Sequence, residues 1–376
     1  MIRTILNILN AIIPKVERQI FFSSAWPFKD NVAAVFEEFL RHDTAQDYRI
    51  ILDGSGLADY EAANIEHVKH KSLLSIWRFL RSKYVMYDVG LYGSWMTRDQ
   101  ISVNLWHGMP IKKFGYYSES VGDKRPTATY VISSSPFFVP ILARAFGVPA
   151  QNVLVTGEPR NDYFFSGKDV LKKTGINKSD YKMVVMWMPT YRTSRIAEQG
   201  DDGAAYEFGI PLLTEKNIKV LDEHLRSLGI LLIVKYHSLQ DVNMPDIELS
   251  NVKTWTSEHI TKTGEPLYSL LAQCDALITD YSSVSIDYSV LDRPMCFAYD
   301  DMQLYASKRG FIYENAESMM PGFRATTFDD LLQFLVQLSV GVDDYREARA
   351  AANREHNSYL DGGNSHRVLK QLGLLD

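Results

Sequence analysis

The sequence LITDYSSVSIDYSVL, residues 277–291, runs from an apolar strand directly into a helix. The apolar part ends at Asp280, and Ser282 and Ser283 follow at the start of the helical part. Serine is favoured at a helix start because its hydroxyl oxygen accepts a bond from a backbone N–H. Strands that alternate with helices are typical of a parallel sheet covered on both faces. This stretch therefore predicts an α/β fold.

Equivalent patterns continue outward from this stretch and form two consecutive sets, separated by a turn-rich region near residues 157–180. Two such sets predict two Rossmann-like domains, in which ligands bind beyond the carboxyl ends of the strands. The predicted strands are 19–24, 48–53, 84–89, 101–106 and 129–135, then 182–189, 229–237, 274–280 and 294–299. The predicted helices include 31–42, 73–83, 214–228, 266–273 and 282–292.

The length of the chain also favours two domains, because 376 residues exceed what one hydrophobic core usually serves. We predict a first domain over residues 1–165, with an amphipathic helix at its start, and a second over residues 166–350. Residues 351–376 are predicted to form a helical tail that packs back on the first domain. The two domains are expected to face one another across a cleft.

The composition is that of an ordinary globular protein, with 46% hydrophobic and 23% charged residues. A net charge of −6 argues against a general nucleic-acid binder, which normally presents a basic face. Cys274 and Cys296 lie in apolar stretches and form no CxxC pair, which favours buried free thiols. P-loop chemistry and a zinc site are not predicted, because the sequence has no GxxxxGK[ST], no HExxH and no Cys/His cluster.

The N-terminal segment has apolar residues at three- and four-residue steps, with basic residues beside them, and so predicts an amphipathic helix. Two interpretations remain open, a helix packed on its own domain and a weak anchor on a membrane surface. We expect neither a secretory signal nor a membrane-spanning segment. The apolar positions are Ile2, Ile5, Leu6, Leu9, Ile12, Ile13 and Val16, and the basic ones are Arg3, Lys15 and Arg18.

The segment NLWHGMPIKKFG, residues 104–115, places His107 on a turn directly after a predicted strand. A neutral imidazole at this position can accept a proton from an attacking hydroxyl near neutral pH. Lys112 and Lys113 follow and can position an anionic acceptor or a phosphate. The alternative is a hydrogen-bonded loop histidine beside solvated lysines.

Three further segments bring polar side chains to predicted strand ends. MWMPTYRTS, residues 186–194, presents Arg192, whose planar fork suits phosphate oxygens, although it also suits a surface salt bridge. LLIVKYHS, residues 231–238, places Lys235 and His237 on one face of a strand end. The two side chains there contact either an anion or solvent. In residues 277–291 the serines form either an anion site at a helix start or a simple cap.

Taken in order, these segments resemble those of the CDP-glycerol glycerophosphotransferase family, which makes teichoic acids and related capsular polymers. NLWHGMPIKKFG is similar to its WHGxPxKKxG signature, and TDYSSVSIDYSVLDRPMCFAYDDMQLYASKRGF to its long C-terminal signature. These two are specific. Weaker similarities are FFSSAWPFKDNVAAVFEEF, TGEPRNDYFF, MPTYR, VKYHS, in which Ser238 replaces a proline, and DGGNSHR at residues 361–367.

The resemblance implies a GT-B-like fold in which the N-terminal domain handles the acceptor and the C-terminal domain binds a CDP-activated donor. It implies that His107 is the general base and that His237 also takes part in catalysis. The implied donor-binding residues are Arg192, Lys235, Thr279, Asp280, Ser282, Ser283 and Asp287, and the acceptor-binding residues are Lys112, Lys113 and Asn31.

The same resemblance implies the partners of the reaction. The donor is CDP-glycerol or CDP-ribitol, and the acceptor is lipid-linked, an oligosaccharide or a growing polymer. Neither a cofactor nor a metal ion is expected, because the CDP-polyol is itself a substrate and basic side chains supply positive charge. The implied location is cytoplasmic, at the inner face of the cell membrane, with no nucleic-acid partner.

Two other functions remain compatible with the sequence. A GT-B glycosyltransferase that uses a nucleotide sugar would share the fold, since fold alone does not determine the donor. A catalytically silent nucleotide-binding partner in a polymer-synthesis complex would bind the ligand without turnover. Retention of His107, His237 and the segment around Arg192 argues against the silent partner.

Overall fold

The computed structural model describes residues 2–24, 30–54, 60–92, 97, 99–118, 128–192, 203–237 and 248–375. The chain divides into two compact units. The first comprises residues 1–109, 114–166 and 355–376, and the second comprises residues 110–113 and 167–354. Each unit is organised around one parallel sheet.

The first unit contains a seven-stranded sheet in the order β3-β2-β1-β4-β5-β6-β7, with every pairing parallel. The strand order reverses between β1 and β4, which is the switch point of a Rossmann-like domain. The strands are β1 Val16–Ser23, β2 Arg49–Asp53, β3 Ile65–Val68, β4 Ser82–Tyr87, β5 Ile101–Asn104, β6 Tyr130–Ser133 and β7 Val153–Val155.

The second unit repeats the arrangement with six strands, in the order β10-β9-β8-β11-β12-β13 and again all parallel. Its switch point lies between β8 and β11. The strands are β8 Met183–Trp187, β9 Ile230–Lys235, β10 Val252–Trp255, β11 Ala276–Thr279, β12 Met295–Ala298 and β13 Phe323–Ala325.

Helices cover both sheets and bury their apolar faces against them. In the first unit, Phe36 of α2 and Val368 of α13 belong to one buried cluster with Phe22 of β1, so the C-terminal helix is part of the first core. In the second, Leu221 of α6 and Leu335 of α11 pack with Trp187. The helices are α1 Ile2–Ile12, α2 Asn31–Leu40, α3 Leu73–Arg81, α4 Val139–Phe146, α5 Val170–Lys173, α6 Ile218–Leu228, α7 Ser257–Thr263, α8 Leu267–Leu271, α9 Val284–Tyr288, α10 Met302–Lys308, α11 Phe328–Ser339, α12 Arg346–His356 and α13 Asn364–Gln371.

All nine predicted strands are present, and the five predicted helices correspond to α2, α3, α6, α8 and α9. Four strands were not predicted, β3, β7, β10 and β13, and all four lie at sheet edges.

Cys274 and Cys296 are buried free thiols, as expected. Residues 110–113 belong to the second unit, whereas the sequence placed them in the first domain. Among the described residues, no helix has the length and apolar character needed to cross a membrane.

Candidate functional site

His107 lies on a strained turn directly after β5. The side chain of Asn104 accepts the backbone N–H of Trp106 at 2.8 Å, and Trp106 has a positive φ of 49°. A left-handed backbone at a non-glycine residue costs free energy and persists where the surroundings enforce it. The indole of Trp106 packs against the His107 imidazole, with ring centroids 3.9 Å apart, and stacks on Phe114. The half-buried imidazole is therefore held at the carboxyl end of the strand.

Asn31, the first residue of α2, ties this turn to the rest of the first unit. Its fully buried amide donates to the carbonyl of Leu105 at 2.7 Å and to Glu158 Oε2 at 2.8 Å. Its Oδ1 accepts the backbone N–H of Arg160 at 2.9 Å. The sequence predicted an acceptor-binding role for Asn31, which stays a prediction. In the structure, both the amide nitrogen and the amide oxygen of Asn31 are hydrogen-bonded to the protein, and the bond to Leu105 positions the backbone before His107.

A buried ionic cluster surrounds Asn31. Asp30 caps α2 by accepting the N–H of Asn31, and both of its oxygens lie 3.2–3.3 Å from Arg160 Nη1. Arg160 Nε in turn lies 3.8 Å from Glu158 Oε2. These three charged residues were not predicted as site residues. The available signal was that Asp30, Glu158 and Arg160 lie in two of the segments that resemble those of the family.

The C-terminal helix α13 closes this cluster. Asn364 donates from its side chain to the Glu158 carbonyl at 3.0 Å, and Asp162 accepts the N–H groups of Asn364 and Ser365. Burial raises the pKa of Asp162 to about 6, against these hydrogen bonds, which lower it. A Cβ at Gly157 would lie 2.0 Å from Asn364 Oδ1, so this close approach requires glycine. The segment 361–367 thus completes the support of the His107 turn.

In the second unit, the strand ends at the switch point carry a buried hydrogen-bond network. Asp280, directly after β11, accepts the backbone N–H of Thr190 at 3.1 Å and also its hydroxyl. The guanidinium of Arg192 donates to Asp280 Oδ2 at 2.8 Å and to the carbonyl of Thr190 at 3.0 Å. Asp280 and Arg192 are both fully buried. The loop after β8 is therefore bonded to the loop after β11.

A second carboxylate completes the pairing of Arg192. Asp301 makes a two-point ion pair with it, with Nε to Oδ2 at 2.8 Å and Nη2 to Oδ1 at 3.1 Å, and accepts the Tyr281 hydroxyl at 2.9 Å. Burial alone would raise the pKa of Asp301, but the bonds to Arg192 lower it below its usual value. Neither Asp301 nor Thr190 was predicted. The donor-binding roles of Arg192 and Asp280 stay predictions, while the structure shows both engaged in holding loops together.

Lys235 is the last residue of strand β9, at the same edge of this sheet, and His237 lies two residues later. Lys235 is 5% exposed, and burial lowers the pKa of its ammonium to about 8. Its Nζ donates to the carbonyl of Tyr236 at 3.2 Å. His237 is half-buried, and its ring centroid lies 5.1 Å from that of Tyr191. The predicted donor-binding role of Lys235 and the predicted catalytic role of His237 stay predictions.

The remaining predicted donor residues follow β11. Thr279 donates its hydroxyl to the Met188 carbonyl at 2.7 Å, and buried Asp287 accepts the Tyr268 hydroxyl at 2.6 Å. Ser282 and Ser283 are half-buried and precede α9, as predicted. The predicted helix 282–292 is shorter than expected, because residues 289–291 form a 3₁₀ turn. The serines are thus more accessible than Thr279 or Asp287.

Lys112 and Lys113 extend along the segment after α10. Lys112 forms an antiparallel bridge with Phe311, and the backbone N–H of Lys113 donates to the Gly310 carbonyl at 3.1 Å. The side chain of Lys113 is exposed. Their predicted acceptor-binding role stays a prediction. Their attachment to the second unit depends on backbone hydrogen bonds, which the sequence pattern does not reveal.

Two curated relatives resemble this chain over most of its length. The chain is 26% identical to a teichoic acid glycerol-phosphate transferase of Staphylococcus aureus, over 92% of this chain and 90% of the relative. It is 28% identical to a teichoic acid poly(ribitol-phosphate) polymerase of Bacillus spizizenii, over 91% of this chain and 54% of the relative. It therefore spans about half the length of that polymerase.

Solved structures share the fold. The wall teichoic acid polymerase TagF, in a structure soaked with CDPG, matches 99% of this chain and 92% of its own with a TM-score of 0.74 and 22% identity. The UDP-GlcNAc 2-epimerase of Neisseria meningitidis, bound to UDP-GlcNAc, matches with a TM-score of 0.56 and 14% identity, over 96% of this chain and 99% of its own. These matches confirm the predicted fold class of two Rossmann-like domains.

The family resemblance drawn from the motifs is confirmed over nearly the whole chain. The family model for CDP-glycerol:poly(glycerophosphate) glycerophosphotransferases matches residues 5–373. That span includes the turn of His107, the network of Arg192 and helix α13. The chain belongs to this family of transferases.

Proposed function

We propose that this protein transfers a polyol phosphate, glycerol phosphate foremost, from a CDP-activated donor to an acceptor hydroxyl and releases CMP. The observation that carries the proposal is the match to the glycerophosphotransferase family over residues 5–373. Support comes from the half-buried His107 on its braced turn and from the cationic strand end at Lys235.

In the proposed reaction, His107 accepts the proton of the acceptor hydroxyl while the hydroxyl oxygen attacks the phosphorus attached to the polyol. The bond between that phosphorus and the bridging oxygen breaks, and CMP leaves with the electron pair. A positioned general base commonly accelerates such a step by about 10²–10⁴-fold. The packing of Trp106 on the imidazole supports this role, because a base must be held in a defined orientation.

Lys235, His237, Ser282 and Ser283 are proposed to bind the phosphates of the donor. Charge grows on the bridging and non-bridging oxygens during the displacement, and groups held in place before the reaction stabilise that charge best. Arg192 is proposed to act through Asp280 and Asp301, whose loops it joins. Because Lys235 and His237 can supply positive charge, we propose that turnover needs neither a metal ion nor a cofactor. Full turnover in the presence of a chelator is the expected result.

The acceptor is proposed to be presented at a lipid surface, which the first unit would contact through α1. Ile5, Ile8 and Ile12 are 49%, 57% and 67% exposed on this helix. On α3, which packs against α1, Leu73 is 87% and Trp77 44% exposed. An amphipathic helix with such a face inserts shallowly into the boundary between headgroups and acyl chains. The proposed location is the inner face of the cell membrane.

A liposome sedimentation assay tests this contact. The variant Ile8→Ser/Ile12→Ser should bind vesicles containing anionic lipid less well than the parent chain. Val220→Ser, which removes an exposed apolar side chain from α6 in the second unit, is the matched control and should bind normally. Equal binding of all three proteins would contradict the membrane role of α1 while leaving the transfer reaction untouched.

A donor panel tests the reaction itself. The purified chain is incubated with CDP-glycerol, CDP-ribitol and common UDP-sugars, together with a lipid-linked acceptor, and the nucleotide released and the product mass are measured. We expect CMP from CDP-glycerol and a product heavier by one or more glycerol phosphate units. CMP from CDP-ribitol alone would favour the ribitol alternative, which the Bacillus spizizenii relative also supports. UDP from a sugar donor would overturn the proposal.

A further inference from the structure

Two helices of the first unit bring two imidazoles and one carboxylate together away from the residues proposed for catalysis. Glu38 lies in the last turn of α2, His42 follows that helix by two residues, and His366 lies in α13. One ligand atom from each lies within 4.8 Å of the other two. Within the described part of the chain, this is the one group of three such residues.

The distances suit a small metal ion. His42 Nε2 lies 3.2 Å and His366 Nδ1 lies 3.5 Å from the same oxygen of the carboxylate, Glu38 Oε1. Around a tetrahedral zinc ion with bonds of about 2.0–2.1 Å, neighbouring ligand atoms lie roughly 3.3 Å apart. The two imidazole rings have centroids 5.5 Å apart and an interplanar angle of 43°, so both edges can turn toward a shared point.

The carboxylate is already oriented for this task. Arg41 Nη1 donates to Glu38 Oε2 at 2.8 Å, which leaves Oε1 toward the two imidazoles. A hydrogen bond to the far side of a ligand group is the usual way in which proteins orient a metal ligand. The side chain of Glu38 is 17% exposed, and those of His42 and His366 are 33% and 43% exposed, so an ion can reach the cluster from solvent.

We propose that Glu38, His42 and His366 bind one divalent transition-metal ion, zinc foremost, which joins α13 to the end of α2. Imidazole nitrogen and carboxylate oxygen are ligands that zinc prefers, and three protein ligands leave one position for water. Asn364 of α13 also donates to the carbonyl of Glu158, which belongs to the ionic cluster around Asn31. An ion that joins α13 to α2 would therefore hold this hydrogen bond in place. Glu38 lies about 10 Å along α2 from Asn31, and none of the three ligands is among the residues proposed for the transfer.

Calorimetric titration with zinc chloride tests the site in the full-length, tag-free chain after chelator treatment. We expect one equivalent per chain. His42→Ala and His366→Ala should each weaken binding by at least about tenfold, since even loss of an orienting partner commonly costs 10–100-fold. His70→Gln is the matched control, because His70 pairs with a single carboxylate, Asp53, at 2.7 Å. It should bind zinc like the parent chain.

A second measurement separates a built site from loose surface binding. Cobalt should replace zinc and give visible absorption bands that His366→Ala abolishes, and zinc should slow hydrogen exchange in residues 364–371. Circular dichroism checks that each variant is folded. If an alanine variant does not fold, Glu38→Gln, which removes a ligand charge with little change of shape, replaces it in the titration. Absence of binding, equal binding by His366→Ala, or loss of binding in His70→Gln would overturn the proposal. None of these readouts depends on donor turnover, so the site and the proposed function fail separately.

Discussion

The two units share one strand order over six strands but support the predicted site residues by different chemistry. In the first unit, a neutral amide, Asn31, braces a turn and leaves the imidazole of His107 half-buried. In the second, a buried cation, Arg192, is neutralised by Asp280 and Asp301 and joins two loops. The proposed base must reach solvent and substrate, whereas a cation held between two carboxylates fixes the loops that carry them. The same topology thus holds a half-buried imidazole after a strand of one unit and a fully buried ion-pair network after the strands of the other.

The largest effect is expected from His107→Ala, which removes the proposed base from the first unit. The rate of CMP release should fall by about 10²–10⁴-fold, because the acceptor hydroxyl loses its proton acceptor. Steady-state kinetics with CDP-glycerol measures the change, and thermal unfolding checks that the chain is folded. His259→Ala, a histidine that caps α7 in the second unit, is the control and should keep full turnover. Full turnover by His107→Ala would refute the assignment.

Arg192→Met should cause the largest loss of stability. Removing one member of a buried ion pair typically costs about 3–5 kcal/mol, because the remaining carboxylates stay buried without their counter-charge. Denaturant unfolding measures the free energy. Arg324→Met removes a cation from an exposed pair with Glu317, in which the side chains are 42% and 40% exposed, and should cost about 1 kcal/mol or less. Similar losses for both variants would mean that the buried network is not the stabilising element we describe.

Asn31→Ala tests whether the first unit relies on its amide to position His107. We expect a loss of about 1–3 kcal/mol in stability, because buried partners of the amide are left unsatisfied. The rate constant kcat should fall while KM for the donor stays nearly unchanged. Asn64→Ala removes an amide that also bonds to two backbone carbonyls in the same unit, and it should lower stability alone. Equal kcat in both variants would remove the positioning role.

Lys235→Met should show the smallest and most mixed effect. Donor binding should weaken by about tenfold, since a charge-assisted hydrogen bond contributes about 1.5–3 kcal/mol. Stability should rise by about 1–3 kcal/mol, because the variant no longer buries a charged group. A donor-binding titration and denaturant unfolding measure the two changes. Unchanged donor affinity would exclude Lys235 from the donor site.

The lowered pKa of Lys235 also predicts a pH dependence. Its folded value of about 8 lies below the usual 10.5, so the unfolded chain binds more protons between these values. The contribution of Lys235 to stability should therefore rise as pH increases from about 8 toward 10.5, and Lys235→Met should lack this rise. Donor affinity of the parent chain should fall over the same range as the ammonium loses its charge. A flat difference between the two proteins would contradict the shift.

The sequence pattern failed to predict the strands at the edges of the two sheets. β3, β7, β10 and β13 each contact one neighbouring strand and contain three or four residues. β10, with the sequence VKTW, has an exposed and a half-buried residue between two buried ones. By contrast, all six residues of the central strand β9, ILLIVK, are buried. Strands buried on both faces give long apolar runs, whereas short edge strands resemble loops in composition.

The sequence by itself determined the α/β class, the central strands and the family, because each depends on local apolar runs and on motifs with short spacing. The burial of Arg192 between two carboxylates, the use of Asn31 as an internal brace and the attachment of residues 110–113 to the second unit were decided only by tertiary structure. Each of these depends on residues distant in sequence, whose desolvation and pairing are set only when their own unit packs. A sequence motif identifies the residues at a strand end. Only the packing of the folded chain determines which of these side chains bond to the protein and which are accessible to a substrate.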